Sequence, residues 1–268
     1  MPTKHVHLDD DRVIHLVHTG ATTLPHLPPA MRHGTAIVFV HGEGGSAQLW
    51  SRQIAHFGAA HSPVAIDLPG HGRSTGLDGP ESVEAAAEIL AALLVAIGSP
   101  PAVLVGHGLG GHIALATAAQ RRDLVRGVVT IGTAARAEIA PSLIEQLEQV
   151  VRGRLGQQFD TPFFCAQPDM GVMRELWGEL VKTDPRVRLS DLLAYRASSL
   201  EGTLARVSAP VLVLHGSDDR LCARAGAEAL VAALPHARIS IVEGAGHVAH
   251  LERAEAVNRA IEEFVAAL

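Results

Sequence analysis

The chain has 268 residues, a formal net charge of −6 and 47% hydrophobic residues. It can bury a large core, which excludes a globally disordered chain, and its acidic balance argues against nonspecific nucleic-acid binding. It has only two cysteines, no stretch near 18 consecutive apolar residues and no apolar signal in its first residues, so we expect a cytoplasmic protein without a membrane span.

Strand and helix patterns alternate along most of the chain. The first of them, residues 5–18, predicts an antiparallel hairpin that turns near Asp9–Asp11. Continuous Val, Ile and Leu runs then predict buried strands, and the segments between them predict helices. We expect strands at 35–40, 63–68, 102–106, 124–132, 210–216 and 237–244, and helices at 46–57, 81–97, 109–122, 223–233 and 252–267. This alternation predicts an α/β fold with a mostly parallel sheet flanked by helices.

Residues 134–205 break the alternation with short helical patterns and turns. We interpret them as a helical cap inserted into a core made of residues 1–133 and 206–268. Ligands of parallel sheets bind at the carboxyl ends of the strands, which such a cap would cover. The cap aromatics either form its own core or line an apolar pocket; they are Phe159, Phe163, Phe164, Trp177 and Tyr195.

Five short motifs follow one another along the chain, each at the end of a predicted strand or just after one. They are FVHGEGGSAQLW (39–50), DLPGHGRS (67–74), LVGHGLGG (104–111), VLVLHGSDD (211–219) and GAGHVAHLERAEAVN (244–258). With these motifs in this order, the chain resembles a cap-bearing member of the α/β-hydrolase superfamily over nearly its whole length. The resemblance implies the α/β-hydrolase fold but says less about the reaction, because this fold supports many reactions.

The resemblance places the nucleophile in a G-x-S-x-G turn between a strand and a helix. Here the turn reads Gly106 to Gly110, and Gly108 stands where the family has its serine. Glycine has no side chain to attack a carbonyl, but it tolerates the strained backbone of this turn. The change is therefore compatible with the fold, whether it is natural or an engineered inactivation.

The remaining catalytic groups are present by the same resemblance. The acid is Asp219, with Asp218 as the open alternative, and the base is His247 of a G-x-G-H loop. The acid would fix the tautomer of the imidazole and stabilise its cation. The backbone N–H groups of Glu43 and Leu109 would form the oxyanion hole, and neither depends on a side chain at position 108.

The sequence carries only weak signals for a metal site, a cofactor site or a further catalytic residue. His5-x-His7 and His247-x-x-His250 are spaced like metal ligands, but no HExxH or Cys/His pairs accompany them, so we expect no metal. The GHGLGG turn lacks the spacing of a dinucleotide loop and the lysine of a P-loop, so we expect no cofactor. Asp67 is interpreted as a structural carboxylate, and nothing in the sequence places Cys165 or Cys222 beside His247.

Three functions fit these residues. In the first, the chain acts on a small carbonyl compound such as an ester, thioester, lactone or activated carbon–carbon bond, and Gly108 is an inactivating change or leaves room for a water that His247 activates. In the second, His247 takes a proton from the substrate, as in a lyase, decarboxylase or cyclase. In the third, the chain is a dead, ligand-binding relative. The predicted cap indicates a small, apolar ligand, and the sequence carries no signal for an oligomeric state.

Overall fold

The computed structural model describes residues 1–21, 23–24, 27–31, 33–76, 79–158 and 163–268. The strands are β1 (Thr3–His7), β2 (Val13–His18), β3 (Ala36–Val40), β4 (Ser62–Ile66), β5 (Ala102–His107), β6 (Val125–Ile131), β7 (Val211–Gly216) and β8 (Ala237–Val242). The α-helices are α1 (Ser51–Phe57), α2 (Val83–Ala96), α3 (Leu109–Gln120), α4 (Pro141–Val151), α5 (Met170–Leu180), α6 (Pro185–Ala197), α7 (Arg224–Ala232), α8 (Ala249–Glu252) and α9 (Ala254–Ala266). Short 3₁₀ turns lie at Ala47–Trp50 and Leu204–Arg206.

Within the described residues, eight strands form one sheet in the order β1-β2-β4-β3-β5-β6-β7-β8. The β1–β2 and β2–β4 pairs are antiparallel, and every pair from β4 to β8 is parallel. The N-terminal hairpin and the mostly parallel α/β sheet predicted from the sequence are therefore confirmed. Because the parallel strands share one direction, the loops after β3, β5, β6, β7 and β8 meet at one edge.

The central strands are buried on both faces, which explains their uninterrupted apolar sequences. All six residues of β5 are buried. One core cluster joins the sheet to α2, α3 and α7, and a second joins its other face to α1 and α9. Among the described residues, no helix is long and apolar enough to cross a membrane.

The chain between β6 and β7 is mostly helical where it is described. Helix α5 packs on the body of the protein, since Leu176 and Leu180 share an apolar cluster with Leu49 and Val248. Helices α4 and α6 share a smaller cluster of their own. Phe159, one of the five predicted cap aromatics, lies outside the described residues.

Two predicted helices differ from the structure. The helix expected at 46–57 starts as the 3₁₀ turn Ala47–Trp50, where the Asp67 carboxylate accepts the Ala47 N–H. The helix expected from residue 252 starts at Ala254, because Arg253 has a non-helical backbone. The Glu252 side chain accepts instead from the N–H groups of Cys165 and Gly246, so it ties the preceding loop to the sheet edge.

Candidate active site

The sharp turn between β5 and α3 is built from glycines. A Cβ on Gly106 would lie 2.2 Å from the Gly110 carbonyl oxygen, and one on Gly110 would lie 2.3 Å from the Val40 oxygen. Gly108 itself has φ 50° and ψ −115°, a left-handed conformation that favours glycine. The predicted strand–turn–helix around Gly108 is thus present, with its backbone close to β3.

His247, from the loop after β8, contacts a carboxylate from the loop after β7. Its Nδ1 lies 3.0 Å from Asp219 Oδ2, and the Asp219 side chain is fully buried. The N–H groups of Leu221 and Cys222 donate to Asp219 Oδ1, so both oxygens of this carboxylate are held. The alternative, Asp218, accepts instead from the N–H of Ala166.

The surroundings of His247 and Asp219 favour opposite charges on the pair. Burial raises the pKa of Asp219, but the hydrogen bond and charge of His247 outweigh it, so the pKa is lowered. Burial lowers the pKa of His247, but the hydrogen bond and charge of Asp219, with the charges of Glu43 and Glu252, raise it overall. The His107 ring meets the His247 ring edge to face, and the His250 ring lies against His107 at a tilted angle. Burial lowers the pKa values of His107 and His250, to about 3 for His250.

Residues from three separate loops meet at the turn between β5 and α3. A Cβ built on Gly108 would lie 3.8 Å from His247 Nε2 and 3.4 Å from Glu43 Oε2, both ordinary contacts. His247 Nε2 therefore faces the side of Gly108 from which a side chain would project, while its Nδ1 is occupied by Asp219. The Glu43 side chain is the part of this group that sequence reasoning missed.

The carboxyl group of Glu43 is unusual in its burial. Glu43 lines a cavity, yet its Oε2 is buried and has no hydrogen-bond partner among the described residues. Burial raises the pKa of Glu43, and the neighbouring His247, the Glu43 backbone N–H and Arg188 only partly oppose this. The available signal was a carboxylic acid between the glycines of the HGEGG loop.

Two contacts hold the loop that carries Glu43, one from the segment after β4 and one from α6. His41 Nε2 accepts the Leu68 N–H, and the Gly44 N–H donates to Asp191 Oδ2 at 2.8 Å. Leu109 follows Gly108 and is the first residue of α3, so its N–H has no acceptor within the helix. Glu43, from the loop after β3, lines the same cavity as His247.

A cavity of about 420 Å³ opens onto these groups. Its walls are largely apolar, and Phe163, Leu143 and Tyr195 contribute from the segment between β6 and β7. Two of the aromatic residues singled out from the sequence therefore reach the cavity. A cavity of this volume with mostly apolar walls is typical of small-molecule sites.

The remaining candidate residues are Asp67 and the two cysteines, of which Cys222 lines the cavity. Asp67 is buried and accepts from Ala47 and Arg73 N–H and pairs with His15, which fits a structural carboxylate. Cys165 and Cys222 are buried free thiols. Among the described residues, one group could hold a metal ion: His215, Asp219 and Cys222, with ligand atoms within 4.8 Å of one another. Both Asp219 oxygens already accept hydrogen bonds, as described above.

Comparisons with known proteins agree with this architecture. A family model described as "Alpha/beta hydrolase family" matches residues 37–260. The chain is 29% identical over 252 residues to the pimeloyl-[acyl-carrier protein] methyl ester esterase of Xanthomonas axonopodis pv. citri, covering 88% of this chain and 97% of that protein. It is 24% identical over 277 residues to the (E)-2-((N-methylformamido)methylene)succinate hydrolase of Acinetobacter baylyi, covering 99% and 98%.

A solved structure gives the same result for the fold. A thermophilic esterase from Thermogutta terrifontis superposes with a TM-score of 0.84 at 23% identity, covering 100% of this chain and 99% of that chain. At this identity the likeness shows the fold alone.

Proposed function

The chain belongs to the alpha/beta hydrolase family, and from this premise we propose that it hydrolyses a small ester-like carbonyl compound without a covalent intermediate on residue 108. One observation carries the proposal: His247 is fixed by Asp219 through Nδ1, and its Nε2 faces the position where the family has a nucleophile. A base so placed can act on a water molecule instead of on a serine hydroxyl.

In this proposal the roles are divided as follows. Asp219 holds the imidazole in the tautomer with Nε2 unprotonated and stabilises the cation that forms. His247 Nε2 takes a proton from water as the water oxygen attacks the carbonyl carbon. The N–H groups of Glu43 and Leu109 form the oxyanion hole, which stabilises the negative charge on the carbonyl oxygen.

We further propose that residues 134–205 form a cap that shapes the substrate site. This is supported by the side chains of Leu143 and Tyr195, which line the same cavity as His247. Two relatives are named as an esterase and a hydrolase, which favours an ester or a related carbonyl compound as the substrate class. The apolar walls favour a small acyl group.

The test is hydrolysis of short acyl esters in ¹⁸O-labelled water. We expect one solvent oxygen in the acid product and no acyl adduct in the intact mass of the protein. His247→Ala should lower kcat by about 10²–10⁴-fold, the range of a lost general base. His56→Gln, which changes an exposed histidine, is the control and should leave the rate unchanged. Unaltered turnover in His247→Ala would reject the shared mechanism.

A second candidate follows from Gly108, since proton abstraction from a carbon acid needs a base and an oxyanion hole but no nucleophile. His247 would then take a proton from the substrate, and the backbone N–H groups would hold the enolate. The labelled-water experiment separates the two candidates, because only hydrolysis transfers solvent oxygen to the product. A product free of label that still requires His247 would establish the second.

A further inference from the structure

Glu43 brings a second proton-transfer group to the site, close to the position that a side chain on residue 108 would occupy. Oε2 of Glu43 and Nε2 of His247 lie 3.4 Å and 3.8 Å from the same point, the Cβ position of Gly108. Both atoms are therefore within reach of one small group bound there. Oε2 is buried and has no hydrogen-bond partner among the described residues, so it can still bond to a group that comes within its reach.

The charge state of Glu43 follows from its place beside the expected oxyanion. An ionised carboxylate at a few ångströms would oppose negative charge growing on the carbonyl oxygen, and this repulsion is strong in a buried site. A protonated carboxylic acid has no such effect and can donate a hydrogen bond. Burial, the largest influence on the Glu43 carboxyl, raises its pKa and so favours this neutral form.

We propose that Glu43 is a catalytic residue whose side chain carries a proton during turnover and donates it, as general acid, to the leaving oxygen of the substrate. This rests on the proposed function, and it adds a role for the Glu43 side chain to that of its backbone N–H. It also explains why an acid with a buried, unpartnered oxygen occupies this glycine-rich loop.

The hydrolytic cycle then balances. His247 Nε2 takes a proton from water, the water oxygen bonds to the carbonyl carbon, and the π electron pair moves onto the carbonyl oxygen. The C=O bond re-forms, the bond from carbon to the leaving oxygen breaks, and that oxygen takes the Glu43 proton. The products are a carboxylic acid and an alcohol. The imidazolium of His247 and the carboxylate of Glu43 are restored by transfer of one proton through water.

The groups facing Glu43 come from several elements. His247 lies in the loop after β8, and α6 contributes Arg188, Asp191 and Tyr195. Asp191 opposes ionisation of Glu43, while His247 and Arg188 favour it. Since the acid must be protonated, the rate should fall on the alkaline side as Glu43 loses its proton, and this limb should be absent in Glu43→Gln.

The decisive experiment compares two leaving groups in Glu43→Gln. Glutamine keeps the size and an N–H donor but cannot transfer a proton. A methyl ester needs acid catalysis because methoxide is a poor leaving group, whereas the para-nitrophenyl ester of the same acid does not. We expect kcat to fall about 100-fold or more for the methyl ester and less than about threefold for the para-nitrophenyl ester. Glu145→Gln, an exposed carboxyl on α4, should change neither.

The outcomes are distinct. Retained para-nitrophenyl ester hydrolysis shows that Glu43→Gln is folded, and selective loss of methyl ester hydrolysis supports the acid role. Equal loss on both esters, or no loss on either, overturns it. If the unaltered protein hydrolyses neither ester, the proposed function fails by itself. Infrared difference spectroscopy near neutral pH then decides on Glu43: a carboxylic-acid C=O band that Glu43→Gln lacks supports the protonated state, and its absence overturns the proposal.

Discussion

Gly108 combines a backbone that favours glycine with surroundings that would accept a side chain. Its φ of 50° strains any other residue, yet a Cβ there would meet Glu43 Oε2 and His247 Nε2 only at ordinary contact distances. The strain of a non-glycine residue in such a conformation is about 1–3 kcal/mol. Steric room and backbone preference therefore pull in opposite directions at this one position.

Gly108→Ser should restore a nucleophile and destabilise the fold. We expect a loss of about 1–3 kcal/mol in the free energy of unfolding, measured by chemical denaturation. The introduced hydroxyl should react with a fluorophosphonate probe in a reaction that requires His247, as read by intact mass. Gly108→Ala is the matched control, since it should share the destabilisation but remain unlabelled. A folded but unlabelled serine variant would show that His247 and the backbone donors are not arranged for acyl transfer.

At the residue scale, motif spacing could identify the partners His247 and Asp219, because each follows a strand at the same sheet edge. It could not show that the Glu43 side chain turns into the site, since a motif locates a backbone position and not a rotamer. Nor could it find Asp191, which contacts the Gly44 N–H from 147 residues further along the chain. Contacts of this kind depend on how distant helices pack.

Helix α6 connects the segment between β6 and β7 to the loop that bears Glu43. Asp191 Oδ2 accepts from the Gly44 N–H and lies 2.8 Å from His71 Nε2, with both side chains of the pair fully buried. Burial lowers the pKa of His71, but the charge and hydrogen bond of Asp191 outweigh it and raise the pKa overall. The His71–Asp191 pair is therefore a pH-dependent attachment of α6.

Asp191→Asn should destabilise the protein most at acidic pH. A raised folded pKa means that the charged pair contributes fully below the unfolded value of about 6.5, and that this contribution fades as the pH rises through the folded value. We expect the variant to lose about 3–5 kcal/mol of unfolding free energy at acidic pH, with a smaller loss at alkaline pH, by denaturation across the pH range.

Asp123→Asn provides the comparison for this prediction. It breaks an exposed pair with Arg121, which solvent screens, so its loss should change the free energy of unfolding far less than Asp191→Asn does. A loss in Asp191→Asn that does not vary with pH would contradict the assignment of the effect to the charge of His71.

The local sequence pattern predicts some boundaries of helices and strands but not others. The apolar runs of β3 to β8 and the repeats of α2, α3 and α7 are strong enough that their positions follow from the sequence within a few residues. The start of α9 does not follow from the sequence, because the Glu252 side chain accepts from the backbone N–H groups of Cys165 and Gly246 and the helix begins only at Ala254. A long-range contact there overrides a sequence that could continue the helix.

The apolar core of the sheet is much larger than the core between the helices α4 and α6. The sheet and its flanking helices share two extensive clusters, whereas α4 and α6 are joined by a small one centred on Ile144, Leu147 and Leu192. Side chains of α4 also line the cavity, among them Leu143 and Gln146. Opening of α4 would therefore expose the cavity while leaving the sheet intact.

Native-state hydrogen exchange should resolve this difference. Amides of α4 should exchange through local opening at a lower free energy than those of β5, which open only with the whole fold. Ile144→Ala removes a side chain that is 4% exposed, and about 2–5 kcal/mol of packing with it, so it should speed exchange in α4 while leaving β5 nearly unchanged. Val103→Ala, in the sheet core, should speed exchange throughout. If Ile144→Ala accelerated β5 as much as α4, the two parts would unfold as one unit, and access to the cavity would have to arise elsewhere.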